Sequence, residues 1–511
     1  MKSYYCLLVF LFSVTISTAQ TTAIIDNNFE QDLVTQGIDT NGLNGNILNT
    51  DAQAVTTLTI SRNDITDFTG LEAFTNLISL DLGRNDFLTA PLTTLVLLEA
   101  LVFDDNNILD SLDLTQNINL RILNIGTTGG GANVSTITTL DLSQNLLLET
   151  IYIYAFLELN DLIFPQTGTL HTIQVIATDE DIFNFTNHSG LEELLLNQNR
   201  STTNITLPAV KTVLKKLDIR NQVVTNIDLD NFIALEDVSL SGTEVENLFL
   251  PNNTVLNRLN IVRHKLSSIY DLSMVPNIEN LTITNNLLLT PFEVNLTALS
   301  ILTNLNLSNN KMINLDITQN TELIDLNVSS NDLPTIDTSQ NTLIVNLNAS
   351  RNKLTTLDLA TNVELVRLTL NDNLLPTLDL STNIKLTYLN LRTNALPTID
   401  LNTNVALNTV NLGENLLPAL DVTTNIQIVN LYIDYNLFTG TGLDLTQNED
   451  LRLLDASFNQ DVFAFSRSSE KVSHLMMQDG AIESLLVAEE GEEKSKTEVY
   501  EGGTLVDEVK H

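Results

Sequence analysis

A period of 21 residues runs without a slip through seven units from residue 302, and it constrains the fold more than any other feature. Units begin at Leu302, Leu323, Ile344, Leu365, Leu386, Leu407 and Ile428. Three residues on stand Leu305, Leu326, Leu347, Leu368, Leu389, Val410 and Leu431. Five on stand Leu307, Val328, Ala349, Leu370, Leu391, Leu412 and Ile433. Eight on is asparagine every time: Asn310, Asn331, Asn352, Asn373, Asn394, Asn415 and Asn436. The unit reads L-x-x-L-x-L-x-x-N-x-L. Side chains alternate along a strand, so the L-x-L core predicts one strand per unit with its leucines inward. No unit buries its leucines alone. The chain must stack unit on unit, parallel neighbours at ~4.8 Å, with a cover at each end.

Looser units begin near Val55, Leu77, Leu98, Leu120, Leu148, Leu170, Leu191, Leu214, Leu235, Leu256 and Ile278, and one more follows at Leu451. By this reading there are nineteen. An asparagine amide holds acceptor and donor together, so it can satisfy backbone groups where the chain turns inward after the strand. The structural ladder is read as Asn63, Asn85, Asn106, Asn199, Asn286 and the seven of the regular units. A second asparagine recurs ten residues on, at Asn320, Asn341, Asn362, Asn383, Asn404 and Asn425, where the return side turns. Twenty-one residues leave little room for a helix, and Pro334, Pro376, Pro397 and Pro418 favour an extended return segment. Ile65 to Leu77 has room for a short helical turn. The pattern is the leucine-rich-repeat signature. It predicts an α/β-class solenoid, mostly β: a curved horseshoe with a parallel concave sheet and a largely extended convex side.

Composition fills in the rest. Only 5% of residues are aromatic and Trp is absent, so the core is expected to be aliphatic. Lys plus Arg number 24 against 63 Asp plus Glu, a net charge of −39 that argues against nucleic acid or an anionic membrane as partner. A single cysteine excludes a disulfide framework and a Cys-based zinc site. Residues 1–19 read as a secretory signal: Lys2, the apolar run Leu7 to Ile16, and cleavage after Ala19, which would also remove Cys6. No later segment is apolar for long enough to span a bilayer. The layout expected is a signal at 1–19, a lead-in at 20–54, the solenoid at 55–460, and a C-terminal cap and acidic tail at 461–511.

Units such as "LTNLNLSNNKMINLDITQN" (302–320) and "LVRLTLNDNLLPTLDLSTN" (365–383) resemble secreted bacterial leucine-rich-repeat proteins of internalin type with 21-residue repeats. The stretch "DNNFEQDLVTQGIDTNGLNGNILNTDAQAVTTLTIS" (26–61) resembles the lead-in of surface proteins of Gram-negative bacteria. The likeness covers roughly residues 24–460. It implies a module whose concave or lateral face binds an extracellular protein or glycan, often in adhesion. The C-terminal sorting domain common in such proteins is not recognisable here. The other reading is a structural spacer without a tight ligand.

Strand residues between the leucines face outward. In the regular units they are polar and small: Asn304, Asn306, Ser308; Asp325, Asn327, Ser329; Asn346, Asn348, Ser350. In the early units they include Val102, Ile122, Tyr152, Tyr154, Ile176 and Leu195, apolar groups that mark a candidate contact surface. Just before Tyr152 the spacing stretches to 28 residues around Gly129, Gly130 and Gly131, an insert placed to project over that surface. A drift in register that buries these residues is the competing reading, because the ladder slots there hold Thr128, Phe156, Thr178, Gln222, Thr243 and His264. A second, smaller candidate patch is Arg367, Tyr388, Arg392 and Tyr432.

Asp316, Asp337, Asp358, Asp379, Asp400 and Asp421 form an equally regular column. Stacked at ~5 Å they repel, so turn amides or cations such as calcium must offset them. Asp39 to Gly45 echoes a calcium loop, but its spacing is off by a residue and no Glu closes it, so it reads as a turn-rich lead-in. Nothing supports catalysis: the five histidines (His171, His188, His264, His474, His511) are scattered, and no nucleophile elbow or phosphate loop occurs.

Overall fold

The computed structural model describes residues 20–61, 64–106, 109–126, 135–199, 201–269 and 272–459, with the strands Phe463–Arg467, His474–Met476, Lys496–Glu501 and Thr504–Lys510 beyond them. The signal segment 1–19, Asn63, Thr128 and the triple-glycine insert lie outside the described residues. The chain forms two compact units, one up to Leu191 with residues 198–202 and 206–209, the other comprising 192–197, 203–205 and the chain from Val210 on.

The first unit opens with a strand, Thr21–Ala23, antiparallel to Asn46–Leu48, and a helix, Asn27–Thr35. Asp26 caps that helix by accepting from the backbone N–H of Asn28 and Phe29. The buried Glu30 carboxylate accepts from the N–H of Asn44, Gly45 and Asn46 at 2.8, 2.6 and 3.2 Å, which ties down the turn-rich loop. Parallel strands follow at Thr57–Thr59, Ser79–Asp81, Ala100–Asp104, Ile122–Gly126, Thr150–Tyr154 and Thr172–Ile176, each hydrogen-bonded to the next. The expected helical turn is a single 3₁₀ turn, Leu71–Ala73. The core departs from the aliphatic expectation. Phe29, Phe68, Phe87 and Phe103 form a buried edge-to-face chain with ring centroids 5.2, 4.9 and 5.3 Å apart.

In the second unit five-residue strands at Glu193–Asn197, Lys216–Arg220, Asp237–Ser241, Arg258–Val262 and Asn280–Thr284 give way to three-residue strands from Asn304–Asn306 to Asn430–Tyr432. All are parallel and in register, so that Leu305, Leu326, Leu347, Leu368, Leu389, Val410 and Leu431 form one buried column. Each predicted unit start is followed two residues later by a strand: Leu302 by Asn304–Asn306, Leu214 by Lys216–Arg220, Leu148 by Thr150–Tyr154. No helix occurs among the described residues between 304 and 432, as the prolines require. Beyond Leu453–Asp455 the sheet continues through His474–Met476 and Lys496–Glu501, the last antiparallel to Thr504–Lys510.

The ladder asparagines bridge neighbouring turns, except Asn286, which donates to Leu266 O at 3.3 Å and caps its own turn by accepting from the Leu288 N–H at 2.9 Å. Asn331 donates from Nδ2 to the carbonyls of Leu307 (2.9 Å) and Val328 (3.0 Å), and its Oδ1 accepts from the N–H of Asn310 and Met312. Asn85, Asn106 and Asn199 do the same in the first unit. Just before each ladder asparagine the backbone passes through the left-handed region, for example Ser330 (φ 57°), Arg351 (53°) and Thr393 (54°). The second asparagine column spans the return turns: Asn341 Nδ2 donates to Ile317 O and Asn320 O at 2.9 and 2.8 Å.

Candidate functional site

The register of the first unit settles where the predicted contact residues go. One face of the sheet is buried through Leu101, Phe103, Leu123, Ile125, Ile151, Ile153, Ile173 and Val175. The alternating residues therefore point to the other face, and none of the predicted ones is buried. They fall into three rows across the strands: Ala100–Ile122–Thr150–Thr172, Val102–Asn124–Tyr152–Gln174, and Asp104–Gly126–Tyr154–Ile176. Val102, Tyr152, Tyr154 and Ile176 are half-buried and Ile122 is exposed. Leu195 is half-buried in the strand Glu193–Asn197, which belongs to the second unit.

The Tyr152 and Tyr154 rings stack nearly parallel, centroids 6.3 Å apart and planes 10° from coplanar. The Tyr154 hydroxyl donates to Gln174 Oε1 at 3.1 Å, and burial raises its pKa, so it stays a donor through neutral pH. Gly126 keeps this arrangement possible. Its φ is 107°, and a Cβ there would lie 1.8 Å from the Tyr154 carbonyl oxygen, so no other residue fits beside that tyrosine. Asp104 lies two strands from Tyr154 with Gly126 between them, and its carboxyl, which lies against Gly83, is pushed up by burial and by the neighbouring Asp81 and Asp105. Gly126 and Gln174 escaped the sequence reading, because only the register shows that they adjoin the tyrosines.

The pattern of similarity to solved structures follows from this architecture. The chain is similar to YopM from Yersinia enterocolitica WA-314 at 18% identity, covering 83% of this chain and 92% of that one with a TM-score of 0.54. This is the leucine-rich-repeat fold. Other similar leucine-rich-repeat structures are the functional domain of InlJ from Listeria monocytogenes (20% identity, 91% and 84% covered, TM-score 0.38) and LIC12759 from Leptospira interrogans (17%, 84% and 91%, 0.43). The sequence matches no family model and no curated protein.

The second predicted patch lies on the leucine-rich-repeat sheet of the second unit, and its members have separate roles. The Arg367 guanidinium sits 4.4 Å above the Tyr388 ring, its partner in register. Arg392 is engaged by carboxylates: Nη1 meets Asp434 at 2.8 Å and Nη2 meets Glu414 at 2.7 Å, which holds it protonated. Tyr432 is half-buried in the row of Asn390 and Asn411.

Backbone amides offset the exposed aspartate column. Asp316 and Asp421 each accept from the N–H two residues on at 3.0 Å and from the same threonine's hydroxyl at 2.7 Å. Asp337, Asp358, Asp379 and Asp400 accept the corresponding N–H at 2.9 Å. For Asp316, backbone and side-chain bonds to Thr318 hold the carboxyl below its ordinary range. Each repeat thus caps its own turn. Among the described residues, no three His, Cys, Asp or Glu side chains are grouped to hold a metal ion, and no helix is long and apolar enough to cross a membrane. His188 and His264 are buried, His171 is exposed, and His511 lies outside the described residues.

Proposed function

We propose that this chain is an exported leucine-rich-repeat binding protein that recognises an extracellular protein or glycan in surface adhesion or recognition. Its contact surface is the sheet face around Tyr152 and Tyr154. One observation carries the reading: two parallel tyrosine rings stand half-exposed on a face held in strict register, with Ile122 on the next strand and Val102 one strand further. Stacked tyrosines give broad, rigid, amphipathic contact area at low conformational cost. Gly126 lets the Tyr154 backbone pack directly against its strand. The export reading rests on residues 1–19 and on cleavage after Ala19.

The competing reading is a spacer, and the polar small residues on the open face of the regular repeats favour it. An array of extracellular proteins and glycans, probed with residues 20–511 and with a Tyr152→Ala/Tyr154→Ala variant, separates the two. A recognition module is captured by at least one spot and released by the double substitution, with the circular dichroism unchanged. Capture that survives the substitution refutes the tyrosine face as the contact surface. No capture at all supports the spacer.

A further inference from the structure

The second unit carries a feature that the tyrosine face does not explain. A shallow groove of about 720 Å³ lies on its open sheet face, bounded by Arg258 at one end and Arg367 at the other. It crosses six strands, about 24 Å at the spacing of a β-sheet. Along its floor run Asn306, Asn327 and Asn348, one per strand and paired in register.

These asparagines use only half of their amide internally. The Oδ1 of each accepts from the backbone N–H two residues on, at Ser308, Ser329 and Ser350, in every case at 3.1 Å. Asn327 and Asn348 also accept from the serine hydroxyls at 2.8 Å. Among the described residues, the Nδ2 groups make no hydrogen bond, and all three side chains are half-buried.

Turn capping alone does not call for asparagine. Asp455 fills the same slot one strand beyond Asn430–Tyr432 and caps Ser457 through both N–H (3.1 Å) and Oγ (2.7 Å). On the return side the same cap is made by the stacked column from Asp316 to Asp421. The groove is not free of carboxylates, since Asp325 accepts from the Nδ2 groups of Asn304 (2.7 Å) and Asn346, but the row of Asn306, Asn327 and Asn348 keeps neutral amides with their donors free.

We propose that this groove is a binding site for an extended, neutral, β-1,4-linked glycan laid across the strands, its sugar oxygens accepting from the Nδ2 column. A β-1,4-linked chain advances by about one sheet spacing, ~4.8 Å, per sugar, and because its alternate sugars are turned over it brings the same edge back at every second donor, ~9.6 Å on. An extended peptide turns the same side outward only every ~6.8 Å and falls out of step within two strands. The floor also lacks the aromatic anchors that carry protein interfaces. A net charge of −39 disfavours a polyanionic polysaccharide.

Affinity gel electrophoresis of the full chain tests this, with mobility measured against gels lacking polymer. The gels contain hydroxyethylcellulose, xylan or mannan as β-1,4-linked probes and dextran or pullulan as α-linked ones. The expected result is retardation by at least one β-1,4-linked polymer and by neither α-linked one. Asn306→Asp/Asn327→Asp/Asn348→Asp keeps every cap acceptor and removes the donors, so binding should weaken at least about tenfold. Asn327→Asp alone should weaken it in the same direction, and its slot tolerates aspartate as Asp455 shows. Tyr152→Ala/Tyr154→Ala should leave this retardation intact, which separates the groove from the tyrosine face. No retardation by any β-1,4-linked polymer, equal retardation by α-linked ones, unchanged binding by the triple variant, or loss in the tyrosine variant overturns the proposal.

Discussion

His264 makes the repeat stack sensitive to acid in a way that can be worked out in advance. It occupies the asparagine slot of its unit, eight residues after Leu256, and is fully buried. Its Nδ1 accepts from the Leu266 N–H at 3.1 Å, so the ring is neutral with its proton on Nε2, which faces Asn310 Oδ1 at 3.2 Å. The Phe292 ring packs edge-on against it, 5.3 Å away. Charging the imidazole would turn an N–H against the Leu266 N–H in a fully buried site. Burial accordingly lowers the pKa from 6.5 to about 4. Because the folded value lies below the unfolded one, the penalty is absent above pH ~6.5 and grows as pH falls, since only the unfolded chain takes up the proton. At about 1.4 kcal/mol per pH unit the full loss is about 3 kcal/mol, of which about 2 kcal/mol falls between pH 7 and pH 5. The test compares wild type with His264→Asn, which restores the ladder residue and removes the titration. Urea unfolding at both pH values, with amide exchange of residues 256–310 as the local readout, should show wild type losing about 2 kcal/mol more than the variant. Carboxylates and His188 titrate in both proteins and cancel. An equal pH dependence in the two would refute the assignment.

Two further outcomes follow from the turns. Ala155 and Ala177 sit at φ 61° and 57°, where a Cβ is strained, so Ala155→Gly and Ala177→Gly should each stabilise by up to about 1 kcal/mol, read as a rise in Tm; a fall would show that unfolded-chain entropy dominates. Thr338 is buried and donates from Oγ1 to Asn362 Oδ1 at 2.8 Å, whereas the matching oxygens of Asn341, Asn383, Asn404 and Asn425 have no partner among the described residues. Thr338→Val should cost about 1–2 kcal/mol in urea unfolding, and a variant as stable as wild type would mean that these oxygens need no donor.

Much of the fold was legible because its determinants recur at fixed spacing along the chain. A leucine two residues from the next states its own orientation, and an asparagine eight residues from a unit start states its own partners. The irregular slots were not legible in that way. Thr178 keeps its place because Asn199 Oδ1 accepts from both its N–H and its hydroxyl, at 3.1 and 2.9 Å. Phe156 fills its slot with apolar bulk, and His264 imitates an asparagine with two ring nitrogens. Each of these depends on a neighbour about one or two units away, which no local period records. The buried phenylalanine chain was hidden for a related reason: a low aromatic fraction averaged over the chain conceals aromatics gathered at one end.

The candidate contact residues show the same limit and point to its remedy. Sequence alternation puts Val102, Ile122, Tyr152, Tyr154 and Ile176 on one face, but it merges three rows into one patch and omits Gly126, whose missing side chain admits the Tyr154 backbone. It likewise counts Arg392 with Arg367, although Asp434 and Glu414 hold the first and an aromatic ring lies under the second. Charge and aromaticity are properties of a residue; availability belongs to its neighbours across the sheet. In a stacked-repeat chain those neighbours lie a fixed number of residues away once the register is known. The free amides of Asn306, Asn327 and Asn348 become visible in the same way, because their carbonyl halves are used up by the serines of their own turns. What would distinguish the proposed recognising face from a structural one is therefore which hydrogen-bonding groups the repeat leaves unused.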